Sequence, residues 1–93
     1  MSVLYTRQAR DDLVGLIDVI SEDNPGAAER MARRIRDVVK HLARMPMMGR
    51  VGRVDGTREL VIPGTPYLAV YRLADTDIQI LRILHGAQLW PPQ

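Results

Sequence analysis

The sequence predicts a two-layer α+β domain in the order β-α-α-β-β-β, a helical hairpin packed on a small antiparallel sheet. Apolar residues recur at helical spacing early in the chain, and the period changes to two in the last third. The length of 93 residues, 46% hydrophobic and 26% charged, suffices for one core and not for two. One domain over residues 1–93 is therefore expected, without linker, repeat or low-complexity tract.

Val3, Leu4 and Tyr5 alternate briefly and are read as a short edge strand, after which Thr6 offers an N-cap. From Arg7 to Asp23 the apolar positions Ala9, Leu13, Leu16, Ile17 and Ile20 form one stripe of an amphipathic helix. Asp11 and Asp12 sit near its positive end, where the macrodipole favours carboxylates, and Gly15 costs about 1 kcal/mol relative to alanine. Asn24-Pro25-Gly26 ends this helix and starts another, because asparagine caps well and proline suits the first helical position. The second stripe runs through Ala28, Met31, Ile35, Val38, Val39 and Leu42, with Glu29 and Arg33 as an i,i+4 pair. So tight a turn predicts an antiparallel hairpin whose apolar stripes need a cover.

After the loop Pro46 to Gly52, the segments Arg58–Ile62, Tyr67–Leu73 and Ile78–Leu84 are rich in β-branched and aromatic residues. The turns Pro63-Gly64-Thr65-Pro66 and Ala74-Asp75-Thr76-Asp77 separate them, which predicts an antiparallel meander. Beyond Gly86, two prolines in Ala87 to Gln93 forbid a regular element. Trp90, the single tryptophan, either folds over the core or anchors a partner.

Charge is unevenly spread. Residues 30 to 58 hold nine cations against Asp37 and Asp55, a local net of +7 within a chain of formal charge +2. Such a stretch is either a solvated helix face or the docking surface of a polyanion or acidic polypeptide. The absence of cysteine removes disulfides, zinc–cysteine sites and a thiol nucleophile. Ser2 and Ser21 are poorly placed for a serine triad, and neither His41 nor His85 has metal-ligand spacing, so no metal and no cofactor is expected. Gly49, Gly52 and Gly56 match neither a P-loop nor a dinucleotide fingerprint. No apolar run approaches the ~18 residues that span a bilayer and the N-terminus lacks a secretory layout, so a cytoplasmic protein without membrane contact is expected.

What remains is a set of cations and one histidine near the predicted sheet: Arg50, Arg53, Arg58, Arg72, Arg82 and His85. By alternation Arg58 shares a face with Leu60 and Ile62, whereas Arg82 lies opposite Ile83 and His85. Arg82 inside an apolar strand needs a partner: an anion or phosphate contact, or a salt bridge to Glu59 or Asp77. As a histidine, the residue type whose unperturbed pKa lies nearest neutrality, His85 suits proton transfer in RNA cleavage, with Arg58 and Arg82 steadying the phosphate; capping the strand or packing under Trp90 is the structural alternative.

The whole pattern resembles the RelE/ParE superfamily of toxins from bacterial type II toxin–antitoxin modules. The residues that carry the likeness are Ala9-Arg10-Asp11-Asp12-Leu13, then Asn24-Pro25 with Ala27 and Ala28, and Leu42 through Pro46 to Gly49-Arg50. They continue with Gly56-Thr57-Arg58-Glu59-Leu60, Tyr67, Tyr71-Arg72 and Ile80-Leu81-Arg82-Ile83-Leu84-His85-Gly86. The resemblance implies growth inhibition by a toxin held inactive in a hetero-oligomer with its antitoxin. It is closer to the ParE branch, whose members poison DNA gyrase, than to the RelE branch, whose members cut mRNA in the ribosome. No lysine lies in the predicted sheet, and the late aromatic is Trp90, which exchanges no proton.

The expectations drawn from this are a ParD-like antitoxin docked on Arg33, Arg36, Lys40 and Arg44, and gyrase contacted through Arg50, Arg58, Arg82 and Trp90. The alternative is a ribosome-dependent endoribonuclease with Arg58, Arg82 and His85 as its catalytic residues. A third reading is an inactive relative that survives as a binding module.

Overall fold

The computed structural model describes residues 1–86, 88, 90 and 91, so the expectation of an irregular tail from Ala87 to Gln93 falls partly outside the described residues. Strand β1 (Ser2–Tyr5) leads into helices α1 (Arg7–Asp23) and α2 (Pro25–Lys40), and a single 3₁₀ turn follows at His41–Ala43. Strands β2 (Arg50–Val51), β3 (Arg58–Val61), β4 (Tyr67–Leu73) and β5 (Asp77–His85) complete the chain.

Both helix starts arise as the sequence predicts. The Thr6 side chain accepts from the Ala9 amide at 3.1 Å, and that of Asn24 accepts from the Ala27 amide at 3.0 Å. Asn24 also donates its backbone N–H to the Ile20 carbonyl, so one residue closes α1 and opens α2. Glu29 and Arg33 meet at 3.4 Å on the exposed face of α2.

The sheet has one strand more than the expected edge strand and three-stranded meander. Five strands run in the order β1-β5-β4-β3-β2, with β1 parallel to β5 and the remaining pairs antiparallel. The stretch expected as a loop between Pro46 and Gly52 contributes β2, where Arg50 opposes Glu59 and Val51 opposes Arg58. Periodicity is blind to a two-residue strand, because pairing with β3 defines it.

A bulge in β5 shapes everything on its C-terminal half. Val70 opposes Arg82 and Tyr71 opposes Ile80, which leaves Leu81 without a counterpart on β4. Strict alternation would turn Ile83 away from the side that Ile80 occupies. With one residue inserted, both enter the core under the helices, beside Ile35, Leu42, Ile62, Tyr71 and Ile78. Each such aliphatic side chain, fully buried, contributes about 1.5–3 kcal/mol. The opposite face carries a smaller cluster, Leu68, Val70 and Leu84, against which Leu81 and Trp90 pack.

Candidate functional site

The cross-strand register places the polar residues by face and by row. Arg50, Glu59, Val70 and Arg82 stand in one row across β2, β3, β4 and β5 on the helix-free face. Arg58 lies on the helix side opposite Tyr71, and His85 lies on that side opposite Tyr67. Tyr67 and Tyr71 are four residues apart on β4, about 13 Å at ~3.3 Å per residue. Arg58, Arg82 and His85 therefore do not converge on one point.

Each of the three also has its own engagement. Arg58 donates from a guanidinium nitrogen to the Gly49 carbonyl. Arg82 grips Asp12 of α1 with two hydrogen bonds, Nε to Oδ2 at 2.7 Å and Nη2 to Oδ1 at 3.0 Å. The expected salt bridge of Arg82 to Glu59 or Asp77 is thus corrected. β1 stops pairing at Ile80, so the following edge of β5 is open, and α1 crosses there with Asp12 in reach. The Asp12 carboxylate also accepts the Ile83 amide at 3.0 Å, and Thr6 donates its hydroxyl to the Leu81 carbonyl at 3.1 Å. These contacts satisfy edge groups that no strand pairs. The hydrogen bonds to Asp12 raise the Arg82 pKa further, against the opposing effect of burial, so the guanidinium stays charged.

His85 ends β5 as expected and meets the Tyr67 ring edge-on, with centroids 5.6 Å apart, rather than packing under Trp90. Its backbone amide donates to Gln88 at 2.6 Å. Both rings border an open groove of about 390 Å³ between α1 and the end of β5, with Asp11 and Asp12 on its other wall. Trp90 lies on the far face with Leu68, Val70 and Leu84.

Glu59 is the polar centre of the helix-free face, and its side chain is 0% exposed. It accepts from Arg50 Nη2 at 3.1 Å, from the Arg53 amide at 2.9 Å and from the Arg53 guanidinium at 3.1 and 3.3 Å. Burial by itself pushes its carboxyl pKa up, but the bonds from Arg53 and Arg50 outweigh that and hold it at about 2. The turn that carries Arg53 closes through Gly52 N–H to the Thr57 carbonyl at 2.8 Å, and Gly56 supplies the positive φ of 79°.

A second network pins the approach to β2. The Tyr71 hydroxyl, deep in the core, donates to the Pro46 carbonyl at 2.8 Å and accepts from the Gly49 amide at 2.9 Å. Gly49 has to be glycine, because a Cβ there would stand 2.7 Å from the Tyr71 ring and 2.9 Å from the Glu59 carbonyl. Met45, Met47 and Met48 are displayed outward from this anchored loop.

Arg33, Arg36, Lys40 and Arg44 are all exposed along α2 and the turn after it. Arg36 and Lys40 border a shallow depression with Val3, Tyr5 and Val39, so an apolar floor lies beside the basic stripe. Burial raises the Tyr5 pKa, while the positive field of Arg36 opposes that rise.

Sequence reading missed Asp12, Glu59, Arg53 and Tyr71 as organising residues. The signal available for Glu59 was an acid within an otherwise strand-like segment beside a cation-rich turn. Asp12 and Tyr71 gave no such signal, because their partners lie far away in the chain.

No group of residues capable of holding a metal ion occurs among the described residues. No helix among them is long and apolar enough to cross a membrane.

Comparison with known proteins places this geometry. Residues 3–90 match the family described as ParE toxin of type II toxin-antitoxin system, parDE. Toxin RelE2 of Caulobacter vibrioides is 37% identical over 87 residues, covering 94% of this chain and 97% of the relative. A chain from the chromosomal ParDE toxin–antitoxin system of P. aeruginosa superposes with a TM-score of 0.84 at 33% identity, covering 91% of this chain and 95% of its own. A chain of the RelBE2 toxin–antitoxin complex of Mycobacterium tuberculosis gives 0.65 at 29% identity, covering 90% and 95%. With the two helices laid over a five-stranded mixed sheet as in these structures, the chain belongs to the ParE toxin family of type II toxin–antitoxin systems, within the RelE/ParE superfamily.

Proposed function

We propose that this toxin arrests growth by binding and poisoning DNA gyrase rather than by cleaving RNA, and that a ParD-like antitoxin neutralises it. The observation that carries this reading is the dispersal of Arg58, Arg82 and His85. RNA cleavage needs a base, an acid and cations gathered about one phosphate. Here two cations are engaged with Gly49 and Asp12, and the histidine stands about four strand residues from Arg58. The ParE family match and the higher structural likeness to a ParDE chain support the same direction.

In this reading the helix-free face, with Arg50, Arg82 and Trp90, turns toward the target, while Arg58 lies across the sheet near Gly49. The antitoxin docks on Arg33, Arg36, Lys40 and Arg44, where charge speeds association and the floor by Tyr5 and Val39 accepts an apolar side chain.

One observation favours the ribonuclease alternative: His85 and Tyr67, two titratable rings, meet in one groove. There His85 is the proton donor, with Arg58 and Arg82 as the phosphate contacts, and a relative bears the name RelE2. The deciding experiment is a supercoiling and cleavage assay with purified gyrase, with and without antitoxin. Loss of supercoiling or trapped cleavage, reversed by antitoxin, is the expected result. No effect at concentrations far above those that stop growth, together with loss of toxicity in His85→Ala, would transfer the function to mRNA cleavage.

A further inference from the structure

The β2 edge carries a second charged site, distinct from the α2 stripe. Arg50 and Arg53 share one carboxylate, so a net positive charge is left at a fixed place. Among the described residues Glu59 is the only acid in an ion pair with either of them, and Asp55, the other acid of the turn, is in none. The Glu59 side chain is 0% exposed, whereas those of Arg50 and Arg53 are 61% and 48% exposed. Each guanidinium has five N–H donors; Arg50 spends Nη2 on Glu59, and Arg53 spends Nε and Nη2. Because Glu59 already orders both side chains, a ligand that meets them loses less conformational entropy on binding.

We propose that Arg50 and Arg53, held from beneath by Glu59, form a preorganised receptor for the carboxylates of a partner polypeptide. The surroundings decide between anion sources. Val61, two residues after Glu59 on the same face of β3, is 52% exposed. A segment that sets an apolar side chain beside its acids covers Val61 while its carboxylates meet the two guanidiniums. A sugar–phosphate backbone meets the charge but leaves Val61 bare. The site stands whichever macromolecule the toxin arrests.

The test uses the full chain labelled with nitrogen-15, following the arginine Nε–Hε and backbone resonances. Four probes are titrated: a peptide alternating glutamate with valine and leucine, the same peptide with glutamine for glutamate, inorganic phosphate, and a short oligothymidylate. The acidic peptide is expected to shift Arg50, Arg53 and Val61 in a saturable, salt-sensitive manner, and the glutamine peptide is not. Arg50→Gln, which leaves Arg53 on Glu59 and the fold in place, is expected to weaken the acidic peptide about fivefold. Equal binding of the glutamine peptide would reduce the surface to its apolar part. Shifts with phosphate or oligothymidylate alone would assign the pair to nucleic acid. Silence with every probe would leave Glu59 as a turn clamp only. Each of these three results overturns the proposal.

Discussion

Replacing Glu59 with glutamine tests the strongest electrostatic feature of the structure. Its carboxylate is fully buried yet ionised, because Arg53 and Arg50 hold its pKa at about 2 against an ordinary value of 4.5. At ~1.4 kcal/mol per pK unit, that difference corresponds to about 3 kcal/mol of folding stability at neutral pH. The sign follows from the lowered value. The contribution is complete above about pH 4.5, where the unfolded chain also carries the charge, and it disappears as the pH falls through about 2. Glutamine removes the charge and turns a buried amide N–H₂ toward guanidinium donors, which leaves that amide without an acceptor and the two arginines without their anion. Urea denaturation of both proteins at pH 7 should show Glu59→Gln destabilised by about 3 kcal/mol, a large share of the ~5–15 kcal/mol typical of a domain. Repeating the pair at falling pH isolates Glu59, since every other titrating carboxyl is common to both chains. The gap should begin to narrow near pH 4.5 and close toward pH 2. A gap below ~0.5 kcal/mol at pH 7, or one that does not change with pH, would refute the account of Glu59 as a buried anion fixed by its arginines.

Four further outcomes are expected. Tyr71→Phe strips the Pro46 carbonyl and the Gly49 amide of their buried partner, so thermal unfolding should show a loss of about 1–3 kcal/mol and the Gly49 amide should exchange faster. Asp12→Ala leaves the half-buried Arg82 without its carboxylate and the Ile83 amide without an acceptor; destabilisation of about 3 kcal/mol in denaturant melts is expected, and a change under ~0.5 kcal/mol would count against the clamp. Gly15→Ala should stabilise the chain by up to ~1 kcal/mol, since nothing lies within 4 Å of the added methyl, and a drop in melting temperature would contradict this. Reversal of charge at Arg36 and Lys40 should slow antitoxin association at low salt and matter little at high salt in surface-binding kinetics; unchanged rates at low salt would sink the α2 docking surface.

Local chemistry made much of the fold legible. Thr6 and Asn24 announce helix starts because a side-chain oxygen two or three residues before the first free amides is a short-range event, and both caps form. The hairpin of α1 and α2 and the strands around Tyr67–Leu73 follow from stripes whose periods of 3.6 and 2 differ. The face of Arg58, with Leu60 and Ile62, was readable by the same alternation.

The candidate site was less legible, because its key contacts join residues that no local rule connects. Arg82 and Asp12 are 70 positions apart, and Tyr71 reaches back 25 positions to Pro46. Charge density in residues 30 to 58 pointed to a docking surface but did not separate Arg50 and Arg53, which share Glu59, from Arg36 and Lys40, which border an open depression.

The sequence by itself determined the helices, their caps, the meander and the family, since each depends on residue types at short spacing. Only the tertiary structure decided strand β2, the parallel pairing of β1 with β5, the bulge at Leu81 and the partners of the arginines. The physical reason is that a strand edge, a register slip and a buried ion pair are properties of two distant segments brought together, and folding alone brings them within reach.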